Sequence, residues 1–317
     1  MLRAARPIEA VLADPDTEAK VRDALLLVEP TLAFARTLGL DVGRQYRSYA
    51  SWPGDRVVTA LVATRPGEID PAGFWFPIVG RQPYKGFFVP ARAEREAARL
   101  HERGLDTCLV PVPAYSTLGW LADPVTTPLL RSGTGRFVET LLHELVHATV
   151  FLAGDAAFNE GVATFIGQEG AIRFFAAHDG EAAAGEERVR VADERAIARE
   201  LAALRAQVAA LYRDHLPAPE RTARRAALSE ATRSALGALP LTRFDAKAVA
   251  AAARLGDACL ALAATYAADL DAYAGRLARL DGDLAGFVGV VRAAADEAAP
   301  REALGLPPRD GETTGEP

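Results

Sequence analysis

Two histidines four residues apart, His143 and His147 in the run Thr140–Thr149, impose the strongest local constraint on this chain. At 3.6 residues per turn, positions i and i+4 lie about 40° apart around a helix axis, so a helix brings both imidazoles to one side. Glu144 follows the first histidine directly. It therefore points beside a metal held by the pair rather than at it, where a general base for water belongs. Val138, Leu141 and Leu145 occupy the opposite side and predict a core-facing stripe. The spacing thus predicts a helix over 136–152 with one apolar face and one ligand-bearing face.

A His-Glu-x-x-His run arises by chance in roughly one chain in a hundred or fewer, so a third ligand is needed to give it weight. Only five histidines occur in 317 residues, and two of them have this spacing. Catalytic zinc sites usually take three protein ligands and leave one position open. Glu160, in Phe158-Asn159-Glu160-Gly161, is the candidate. Twelve residues separate it from His147. If a second helix over 158–177 returns antiparallel after the short Ala153–Ala157 connection, His147 and Glu160 reach similar heights. Gly161 would let the helices approach closely. The plain alternative is an acidic residue favoured at a helix N-terminus.

The rest of the pattern predicts an α+β chain: a small β-containing N-terminal layer packed on a helical core with long C-terminal helices. Residues 7–40 read as helices, with Asp14-Pro15-Asp16 as a break and N-cap. Short β-branched and aromatic runs follow at Val57–Thr64, Gly73–Val79, Tyr84–Val89 and Thr107–Pro113. The middle two read as a hairpin, and a helix over Ala91–Arg103 precedes the last. After Asp123-Pro124 the pattern is almost wholly helical. Ile197, Leu201, Leu204, Val208 and Leu211 form a 4-3-4-3 seam in a helix over Glu187–Asp214. A partner helix spans 220–238. A similar seam (Leu255, Cys259, Leu262, Tyr266, Tyr273, Leu277) predicts one long helix over Asp245–Leu280, and a last helix covers 284–297. These divide the chain into an α+β part, 1–133, a helical part, 134–299, and a tail, 300–317, expected to be disordered.

Charge and composition exclude some functions. The net charge of −6 argues against a general nucleic-acid binder. All but three of the 36 basic residues are arginine, so Arg221–Arg225 reads as compositional bias on a solvated helix face. Cys108 and Cys259 lie in apolar runs without a Cys-x-x-Cys pattern. They read as small buried residues rather than ligands or a bridge. No segment reaches the roughly 18 apolar residues of a membrane span, and Met1–Arg6 is no secretory signal. The abrupt start raises the expectation that an upstream segment is missing.

Several stretches together resemble a bacterial family of predicted zinc aminopeptidases, a gluzincin-like group. They are Arg6-Pro7-Ile8, Phe76–Phe88 (FPIVGRQPYKGFF), Ala114–Pro124 (AYSTLGWLADP), His143–His147 and Phe158-Asn159-Glu160, which together cover most of residues 6–175. The Tyr115–Trp120 segment with its Asp-Pro is the most specific mark. The resemblance implies one Zn2+ per chain on His143, His147 and Glu160, Glu144 as catalytic base, and a peptide substrate. Asn159 belongs to the motif without an assigned role. Arg81 and Leu121 depart from residues common in the family, where Cys and Phe often stand.

Four positions after the ligand glutamate, related proteins often orient a histidine; here Thr164 stands there. Asp155 or Glu169 would have to supply that contact. An oxyanion donor is also needed, and Tyr115 and Tyr266 are candidates, each weighed against simple packing. Many relatives resemble exported lipoproteins. With no export signal the chain as given reads as cytoplasmic, whereas the resemblance implies a periplasmic protein or lipoprotein if its start is truncated. Two other classes of function remain: a zinc-binding module without turnover, and a helical interaction protein. Retention of Glu144 and Glu160 argues against them.

Overall fold

The computed structural model describes residues 5–76, 80–114, 122–214 and 216–306. It has the expected mixed α+β character, with small sheets in the first part followed by a long helical region. The chain opens with β1 (Arg6–Pro7), α1 (Ile8–Leu12), α2 (Ala19–Leu26), α3 (Val28–Thr37) and β2 (Ser48–Ala50). The break at Asp14–Asp16 is present, but the cap position of α2 falls at Glu18. Then come β3 (Val58–Thr64), β4 (Phe74–Phe76), β5 (Gly80–Gln82), β6 (Tyr84–Phe87), α4 (Pro90–Glu102), β7 (Asp106–Val112), β8 (Val125–Thr126) and α5 (Thr127–Leu130).

β3 is the centre of an antiparallel sheet ordered β6-β3-β7, and all seven of its residues are buried. Its sequence does not alternate because both faces are covered. Leu61 and Ala63 pack on α4 through Ala97 and Leu100, while Val62 packs with Cys108 on a later helix through Ala258, Ala261 and Leu262. The expected hairpin is re-paired: β4 pairs β5, whereas β6 pairs β3. Pro83, which has no N–H to give a ladder, separates the two strands.

The helical part comprises α6 (Thr134–Thr149), α7 (Ala156–His178), α8 (Glu181–Arg213), α9 (Ala218–Ala238), α10 (Ala246–Ala252), α11 (Asp257–Tyr266), α12 (Leu270–Ala278), α13 (Leu284–Ala295) and α14 (Pro300–Ala303). The middle of this core is α7. It is apolar around most of its circumference because α6, α8, α11, α12 and α13 all pack against it. Val138, Leu141, Leu142 and Leu145 of α6 are fully buried in the same cluster as Val162, Phe165 and Phe174 of α7. Leu204 and Val208 from the α8 seam form a second cluster with Leu236 and Leu255. Arg190 of α8 ties α6 in place through Glu139, and also meets Glu187 and Glu194.

Four expectations need correction. The single helix over 245–280 is three helices, with breaks before Asp257 and after Tyr266. The apolar rhythm runs through the breaks because each helix buries one face, although against different clusters: Ala250 with the α8–α9 pair, Ala261 and Leu262 under the β3 sheet, and Tyr273 and Leu277 in the main core. Asp269 turns the chain in a left-handed conformation (φ 59°). Cys108 of β7 and Cys259 of α11 form a disulfide, their Cα atoms 5.1 Å apart; a sequence separation of 151 conceals that proximity. Arg225 is not solvated but reaches Asp257 and the Leu255 carbonyl. The tail is ordered at its start: α14 forms, and Arg301, Leu304 and Leu306 are buried. Residues 307–317 lie outside the described residues.

Candidate metal centre

On α6, the helix places His143 and His147 one turn apart with their rings nearly perpendicular, centroids 4.7 Å apart. Their Nε2 atoms face each other at 3.1 Å. Glu160, in the first turns of α7, brings Oε2 to 3.3 Å from His143 Nε2 and 3.6 Å from His147 Nε2. Three donors on a tetrahedral ion with bonds of 2.0–2.1 Å stand about 3.3 Å from one another. The three separations bracket that value. The cluster could therefore hold a metal ion, and its donor set suits one that accepts imidazole and carboxylate together.

The local chain explains the convergence. Gly167 of α7 lies where a Cβ would meet the Glu139 carbonyl at 3.0 Å and His143 Cβ at 3.3 Å, so a larger residue there would push α6 and α7 apart by a few tenths of an ångström. Asp155 caps α7 by accepting from the Phe158 N–H at 2.9 Å. Asn159 fixes the connecting loop with two bonds to one residue. Its Nδ2 donates to the Leu152 carbonyl at 2.7 Å, and its Oδ1 accepts from the Leu152 N–H at 2.8 Å. Asn159 thus works on the backbone beside the site, and the next residue, Glu160, inherits the resulting position.

The electrostatics fit a cluster of opposite charges. Burial acts to raise the Glu160 pKa, but His147 and His143 outweigh it and hold the carboxyl well below its usual range. Burial acts to lower His147, but the Glu160 and Glu144 carboxylates raise it on balance. The Glu144 field thus reaches His147, and it also reaches the hydroxyl of Tyr266. The Tyr266 ring stacks on His143 at 6.2 Å and 22°. About a third of the residue is open to solvent, yet its hydroxyl end sits among the site groups. Burial there, then Glu160, Tyr84 and Glu144, push its pKa well above the ordinary value.

A family model described as "Putative aminopeptidase" matches residues 1–304. The chain belongs to this family. No curated protein and no solved structure matches it. The match spans every group of the cluster, from Tyr84 to Tyr266, and gives the aminopeptidase family a peptidase-type function and a peptide substrate.

Within this aminopeptidase-family chain, Asp155 and Glu169 are engaged away from the histidines. Asp155 caps α7 and pairs with Arg301, and Glu169 lies between Arg173 and Arg195. Tyr115, with the rest of the Tyr115–Trp120 segment, lies outside the described residues. One group at the site carried no expectation from its residue type: Tyr84 of β6, whose hydroxyl donates to Glu160 Oε1 at 3.3 Å. Its place inside the FPIVGRQPYKGFF stretch was the only signal. A cleft of about 600 Å³ between α7 and α8 is lined by Arg173, Arg188, Arg195 and Arg199. Each of these is paired with a carboxylate, so the cleft offers no unoccupied charge.

Proposed function

We propose that the chain is a zinc-dependent aminopeptidase in which His143, His147 and Glu160 hold the metal and Glu144 is the catalytic base. The carrying observation is the Nε2, Nε2, Oε2 triangle with edges of 3.1–3.6 Å. Zinc, when bound, would supply Lewis acidity and bring the pKa of a coordinated water towards about 7. Glu144 takes the proton of the attacking water and returns it to the leaving amine. Tyr266 donates to the developing oxyanion, a role for which a hydroxyl held protonated is suited. Tyr84 occupies Oε1 of Glu160, which leaves Oε2 for the metal.

Supporting context comes from Cys108–Cys259, a bridge of the kind that persists in oxidising compartments and fits an exported protein. Among the described residues no helix is long and apolar enough to cross a membrane. The test is metal analysis of purified protein alongside Glu144→Gln, assayed on aminoacyl and internally quenched peptides. Stoichiometric zinc, with turnover lost in the variant and cleavage confined to free N-termini, is the expected result. Cleavage inside blocked peptides would replace aminopeptidase by endopeptidase, and absence of zinc would end the zinc reading.

A further inference from the structure

The two loops that flank the site are joined by a residue far from both in sequence. Arg301 of α14 is buried, and the hydrophobic anchors Leu304 and Leu306 hold α14 against the main core. Its Nη2 donates to Asp269 Oδ2 at 2.9 Å, and its Nη1 stands 3.5 Å from Asp155 Oδ2. All three side chains are nearly closed to solvent. Asp155 caps the helix that carries Glu160 five residues later. Asp269 comes three residues after Tyr266, in a left-handed conformation that turns the chain between α11 and α12. Between them, the Ala268 carbonyl sits only 2.5 Å from where a Cβ on Gly161 would lie, so the loop after Tyr266 rests directly on the first turns of α7.

We infer that Arg301 is a positioning residue: by bridging Asp155 and Asp269 it locks the Tyr266 loop onto the Glu160 helix and sets the Tyr266 ring against His143. Nη2 hydrogen-bonds Asp269 while Nη1 stays within ion-pair reach of Asp155, a two-ended contact for which a lysine ammonium lacks the planar pair of donors. Removing it leaves two buried aspartates facing each other across the junction, and the left-handed turn loses its restraint. His143, His147 and Glu160 sit in the α6–α7 hairpin and keep their own supports, so the metal cluster stays.

The catalytic consequence rests on the proposed function; the structural one does not. Two readouts separate them. Hydrogen exchange of wild type, Arg301→Ala and Asp269→Asn compares amides 267–270 with those of α8. The inference expects at least about tenfold faster exchange at 267–270 in both variants with α8 unchanged. Unchanged protection there overturns it, whether or not the protein turns over peptide. For an active enzyme, Arg301→Ala lowers kcat by about ten- to a hundredfold with zinc content and KM nearly constant. Arg301→Lys recovers only part. Tyr266→Phe added to Arg301→Ala costs no more than the worse single change, because both act through one hydroxyl. Losses that multiply independently would overturn the link to Tyr266. Asp269→Asn serves the same cycle if Arg301→Ala does not fold.

Discussion

The α6–α7 hairpin and the α11–α12 segment supply opposite sides of one site by different means. The hairpin carries its donors on a buried, self-supporting unit: a six-residue connection, an Asp155 cap, an Asn159 clamp and a glycine contact at Gly167. The α11–α12 segment brings Tyr266 to the end of a short helix followed by a left-handed turn, and distant partners hold it. Cys108 and Asp106 of β7 fix the start of α11 through Cys259 and the Ala258 N–H. Arg225 and Tyr212 hold Asp257, and Arg301 holds Asp269. The difference teaches that the three donors converge through the local contacts of one hairpin, with Arg190, Arg301 and Tyr84 adding ties from outside it, whereas the hydroxyl side depends mainly on long-range ties.

Predictions follow from breaking one side at a time. His147→Ala strikes the hairpin at a ligand and is expected to abolish both stoichiometric zinc and turnover, read by metal analysis and peptide hydrolysis. Retention of full zinc would detach that histidine from the centre. Glu144→Gln leaves the donors in place, so zinc should remain while kcat falls about a thousandfold. Replacing Cys108 and Cys259 together by Ala strikes the other side. Stability should fall by about 2–5 kcal/mol, measured by denaturant unfolding under non-reducing conditions, with the zinc content of the folded protein unchanged. Loss of zinc from the folded double variant would show that the two sides are not separable. Tyr84→Phe is the mildest change: about tenfold weaker zinc affinity in a chelator competition, with the fold intact.

The same contrast decides what could be read in the sequence. The convergence of His143, His147 and Glu160 was legible because helix geometry and a twelve-residue separation settle it locally. The single break in the Cys259–Tyr266–Tyr273 seam was not, since Ala267-Ala268-Asp269 contains neither glycine nor proline and the apolar period continues across it. The disulfide and the Arg301 bridge join residues 151 and 146 or fewer positions apart in the chain, where spacing carries no signal. Asn159 was visible as part of a motif, but its action on Leu152 required the loop's path. Tyr84 was concealed by the mis-paired hairpin: only once β6 is placed on β3 does its hydroxyl come to Glu160.

Zinc-edge anomalous diffraction on crystals of the zinc-loaded wild-type protein tests the central claim most directly. One strong peak per chain is expected, about 2.0–2.2 Å from the Nε2 atoms of His143 and His147 and from a carboxylate oxygen of Glu160. A loaded crystal with no peak at that point, or with the ion held by other residues, would contradict it.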